Sequence, residues 1–171
     1  MLSISGRSAA IGGAALSILL LGATGASADA CPPAQSTSAT YNCVRNDITL
    51  KFTVTVPLVA FAGQTIPVSV SGDIGPHNEG AALPADGLQA QLQLGVSGSQ
   101  TGTVTATGIT NTQPIALGDE ILVSQGYTTL TLTSPGVVEF SLGTFSGSAL
   151  GSSQTCTVVG TPPVAAITVV G

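Results

Sequence analysis

The chain has 171 residues, 43% of them hydrophobic and only 6% charged, with a formal net charge of −5. That balance excludes a disordered composition, and three basic residues against eight acidic ones make nucleic acid and anionic membranes poor partners. The length suits one domain with a substantial core.

A single positive charge, Arg7, precedes an apolar run from Ala9 to Leu21 and the small-residue triplet Ala26-Ser27-Ala28. This is the layout of a secretory signal peptide, with Ala26 and Ala28 marking the cleavage site and residues 1–28 removed. Gly12, Gly13 and Ser17 interrupt the run, which is shorter than the ~20 residues a spanning helix needs, so no transmembrane anchor is expected in the mature chain. The single arginine points to general secretion rather than the twin-arginine route. Residues 29–42 then read as a flexible N-terminal segment and residues 43–171 as the folded domain.

Period-two alternation dominates that domain. Ile48, Leu50, Phe52, Val54 and Val56 share one face, with Thr49, Lys51, Thr53 and Thr55 on the other. The same alternation recurs in Ile66–Val70, Leu88–Val96, Leu130–Leu132 and Val138–Leu142, and a final strand is expected over Val164–Val170. Turn signals such as Pro57, Gly63, Ser97-Gly98, Gly118-Asp119 and Ser134-Pro135-Gly136 separate these runs. The pattern predicts an all-β domain of eight or nine strands. A two-sheet antiparallel immunoglobulin-like sandwich suits that count, with a small β-barrel as the alternative. Phe52, Phe61, Phe140 and Phe145 are expected in the core, and Tyr127 in a corner hydrogen bond.

A cysteine opening the first strong strand, the phrase from Thr129 to Phe140 (TLTLTSPGVVEF) and a second cysteine near the end form a recurring arrangement. It resembles exported immunoglobulin-like β-sandwich domains of uncharacterised function from high-G+C Gram-positive bacteria, over about three quarters of the chain. The resemblance implies an architecture and brings no catalytic residues with it.

Cys31, Cys43 and Cys156 allow at most one intramolecular bridge. Cys43 precedes the first strong strand and Cys156 lies in strand-like sequence near the other end. First and late strands are often neighbours in a sandwich, and the resemblance also pairs these ends. Cys43–Cys156 is therefore the expected bridge, with Cys31–Cys43 and no bridge as the alternatives. Cys31 is expected as a tail thiol, free or bridging to another molecule. Lipidation there is disfavoured by Asp29 just before it.

The stretch Ser71–Gly87 gathers Asp73, His77, Glu79 and Asp86 and includes the only histidine. Carboxylates with an imidazole are weak candidates for a metal site, but the spacing matches no known ligand pattern, and a solvated loop is the expected reading. No G-x-S-x-G elbow serves a serine hydrolase, and Asp119 and Glu120 are adjacent, where extended geometry points them apart. No catalytic residue and no cofactor are expected. Without tryptophan, sugar stacking is disfavoured.

The expected function is a secreted, non-catalytic structural or interaction module at or near the cell envelope. Its expected partner is a protein or envelope surface, or a second copy. The alternative is a carrier of a small apolar ligand between the sheets, lined by Leu88–Val96. A metal-dependent enzyme centred on residues 71–87 ranks third.

Overall fold

A computed structural model describes residues 35–43, 47–78, 80–160 and 162–171. The expected signal peptide, its Ala26 and Ala28 site and Cys31 lie outside the described residues. All named elements are strands: β1 (Gln35–Asn42), β2 (Asp47–Thr55), β3 (Val59–Phe61), β4 (Thr65–His77), β5 (Leu88–Gly98), β6 (Gly102–Thr110), β7 (Glu120–Leu122), β8 (Gly126–Thr131), β9 (Gly136–Ala149), β10 (Ser152–Val158) and β11 (Pro163–Val170). Eleven strands stand where eight or nine were expected. Two of them, β3 and β7, have three residues each and are too short to show a period.

Residues 35–42, expected in the flexible segment, instead form β1 and pair along their whole length with β2, from Gln35 opposite Val54 to Asn42 opposite Asp47. Only Ala39 and Tyr41 of β1 are buried, so no apolar alternation announced it.

Eight strands pair in a closed ring, β1-β2-β4-β8-β6-β5-β9-β10 and back to β1. Every pair around this ring is antiparallel. Two joins in it are thin. Between β6 and β8 the register consists of Thr107 opposite Tyr127, and between β1 and β10 of Tyr41 opposite Val158 and Asn42 opposite Thr157. The long β9 makes the second join possible, because its first half pairs with β11 and its second half with β10 along one edge. Outside β11 lies β3, in parallel pairing, and β7 continues the β8 side of β4.

The predicted alternation becomes burial directly. In β5, Ala90, Leu92, Leu94 and Val96 are buried while Gln89, Gln91 and Gln93 face solvent. One hydrophobic cluster joins these residues to Leu50, Phe52 and Val54 of β2, to Phe140 and Leu142 of β9 and to Ile167 of β11. Near the β1–β10 join Tyr41 meets Phe52 and Phe145 edge-on at 5.9 and 6.3 Å. Phe61, expected in the core, is 63% exposed. It sits on the outermost strand, where Ala60 takes the single inward position.

Cys43 and Cys156 are bridged, 2.02 Å between sulfurs, immediately beyond the β1–β10 pairing. Both are buried. The covalent link thus stitches one of the two thin joins in the ring.

Candidate interaction surface

The acidic stretch Ser71–Gly87 is not a single solvated loop. Ser71–His77 completes β4, with Asp73 opposite Lys51 of β2 and Leu122 of β7, and His77 opposite Glu120. The side chains of Asp73 and His77, and all of Glu79, lie outside the described residues. Asp86 is exposed, in a turn at φ 59°, and its backbone N–H donates to Asn111 O at 2.7 Å. No cluster of three histidine, cysteine or carboxylate side chains that could hold a metal occurs among the described residues.

The remainder of this stretch folds onto residues 111–119. Leu83 and Ile115 exchange two backbone hydrogen bonds at 2.9 Å, and both side chains are buried. Two buried amides pin the pair of loops, a role that sequence reasoning missed. Asn111 accepts from Leu88 N–H at 2.7 Å through Oδ1 and donates to Pro84 O and Gln113 O at 2.7 and 2.8 Å. Asn78 donates to Ala81 O and Ala116 O and accepts from Gly80 N–H. Each amide is itself buried and finds its partners among the backbone groups of the two loops and the start of β5. Asp119 closes its turn as expected, its carboxylate accepting from Ala116 N–H at 3.3 Å.

The outer faces of the strands carry mostly hydroxyls and amides. On β1 and β2, Ser36 and Thr53 hydrogen-bond at 2.6 Å, and Thr65 of β4 meets Thr131 of β8 at 2.9 Å. Tyr127 makes no corner: it is exposed, and its hydroxyl bonds Gln125 Oε1 two residues away.

Exposed large apolar side chains also occur on this surface, Leu117, Leu122, Leu150 and Val159 among them, and one group of them lies around β3. Leu58, Val59, Phe61 and Val137 are all at least half exposed. Thr168 of β11 lies in register with both Val59 and Val137, so these two flank it on one outward face. Exposed Glu139 projects from the same face of β9, opposite Ala166.

The outer backbone edge of β3 is partly closed. Phe61 N–H donates to Gln64 Oε1 at 3.1 Å, and Gln64 N–H donates to Phe61 O at 3.0 Å. With three residues and Pro57 nearby, β3 is blunted against strand addition by its own neighbours. Contact at this face falls to side chains rather than to the ladder.

Ala90, Leu92, Leu94 and Val96 of the strand Leu88–Val96 belong to the packed core, while Leu88 at its start lines a cavity. No helix among the described residues is long and apolar enough to cross a membrane. No protein-family model, curated protein or solved structure matches this chain.

Proposed function

We propose that this protein is a secreted, non-catalytic interaction module that docks a protein of the cell envelope through the Leu58, Val59, Phe61 and Val137 patch. The same reading takes the closed ring as a flattened immunoglobulin-like sandwich, whose two layers meet at the thin β6–β8 and β1–β10 joins. A buried disulfide is consistent with an extracellular setting.

The observation that carries the reading is the group of exposed apolar side chains around β3, with Val59 and Val137 on one outward face on either side of Thr168. Charge selects among occupants. Glu139 borders the patch and the chain is net negative, so a second copy would bring like charges together. A protein that sets basic groups beside an apolar side chain complements it.

The test compares capture of envelope proteins by the parent, by the double variant Val59→Thr/Phe61→Ser and by the triple variant Asp73→Ala/His77→Ala/Glu79→Ala. The expected result is one retained protein, lost with the patch variant, kept with the triple variant and weakened by salt. Equal retention by the patch variant overturns the reading. Loss confined to the triple variant, or stoichiometric metal in the parent, transfers the function to the 71–87 segment.

A further inference from the structure

A cavity of about 620 Å³ opens where β2, β5, β9 and β10 meet, away from the patch on β3. Ile48, Leu88, Phe145, Ala149 and Cys156 form its apolar walls, and the serines flanking the β9–β10 turn, with Gln154, contribute polar groups. None of the side chains lining it is charged. Its size falls within the range of sites for small organic molecules, and its lining of apolar walls with a few polar groups is the usual one.

Tyr41 lies beside this cavity. It stands opposite Ile48 in register, and its ring meets Phe145 edge-on at 6.3 Å. The residue is fully buried, and its hydroxyl has no hydrogen-bond partner among the described residues. Leaving a phenol in that condition carries a desolvation penalty that a phenylalanine would avoid. Burial pushes its pKa upward, so the hydroxyl keeps its proton and is available as a donor.

We propose that the cavity binds a small neutral apolar molecule bearing one hydrogen-bond acceptor, and that the Tyr41 hydroxyl donates to that acceptor. Tyr41 does not itself line the cavity, and Phe145, which does, packs against its ring, so the donation requires the Phe145 side chain to move aside. The site thereby gives the unpartnered phenol its role, and the apolar walls supply the affinity.

Two fluorescent probes test this on the purified protein. Prodan is an apolar naphthalene with a ketone acceptor, and 1-N-phenylnaphthylamine is an apolar dye without a carbonyl. The parent is expected to bind both, with a blue shift in emission. Tyr41→Phe should weaken prodan about five- to tenfold, the equivalent of one hydrogen bond, and leave 1-N-phenylnaphthylamine unchanged. Ala149→Phe, which fills the cavity, and Leu88→Gln, which makes one wall polar, should each weaken both probes. Thermal melts establish that each variant is folded.

Absence of prodan binding to the parent overturns the proposal. Equal prodan affinity in Tyr41→Phe also overturns it. Binding that survives both cavity variants places the probes elsewhere and has the same consequence. None of these outcomes bears on the β3 patch, whose variants touch neither Tyr41 nor the cavity walls.

Discussion

Removing the Cys43–Cys156 bridge with Cys43→Ala/Cys156→Ala is the sharpest perturbation the fold offers. The cross-link spans 113 residues, and the chain-entropy relation gives about 4.8 kcal/mol for a loop of that length. Total stability for a domain is about 5–15 kcal/mol, so the bridge supplies a large share of it. With an unfolding entropy of about 2.1 cal/mol/K per residue, the loss corresponds to a fall in melting temperature of about 17 °C. Alanine rather than serine avoids placing new hydroxyls at two buried positions. The effect should also be local, because among the described residues the backbones of β1 and β10 otherwise pair only at Tyr41–Val158, Asn42–Thr157 and the Val159 N–H to Thr40 O bond. Calorimetry and hydrogen exchange at Val159 measure the two parts. A variant that melts within about 3 °C of the parent, with Val159 still protected to the global limit, would refute both the magnitude and the role assigned to the join.

Two further outcomes follow from buried polar groups. Asn111→Ala should cost about 1–3 kcal/mol in urea titration, because Leu88 N–H and Gln113 O lose the amide as partner while Pro84 O keeps only Gly87 N–H, and should expose the 78–87 and 111–119 loops to protease. A loss under about 0.5 kcal/mol would show that water replaces the amide. Tyr41→Phe should stabilise the ligand-free protein by about 1 kcal/mol at neutral pH. Because burial raises the folded pKa above the ordinary tyrosine value near 10, the folded state holds the phenolic proton more tightly than the unfolded state does. Its contribution is therefore intact below about pH 10, and above that the parent loses up to about 1.4 kcal/mol per pH unit that Tyr41→Phe does not lose. Chemical denaturation between pH 8 and 11 reads the difference, and parallel curves for the two proteins would contradict it.

The sequence alone determined the all-β class, the main strands and which face of each turns inward. Alternation is a local property of the chain, so Leu92 and Leu94 of β5 or Phe52 and Val54 of β2 declare their side wherever the strand ends up. The Cys43–Cys156 pairing was legible only as the preferred of several options, since pairing depends on which strands become neighbours. Tertiary structure decided everything that depends on neighbours. Strand β1 buries two side chains and exists because β2 pairs with all of it. The strand order closes a ring instead of leaving two separate sheets, because β9 is long enough to pair with β11 and then β10 along the same edge. Phe61 faces solvent through its place on the outermost strand, although its residue type favours the core. The amides of Asn78 and Asn111 became structural pins only once they met backbone 38 and 27 residues away, and the Tyr41 hydroxyl lost its partners only once β1 was packed against Phe52 and Phe145. Burial and hydrogen bonding at these positions are set by residues distant in the chain, and no local pattern encodes them.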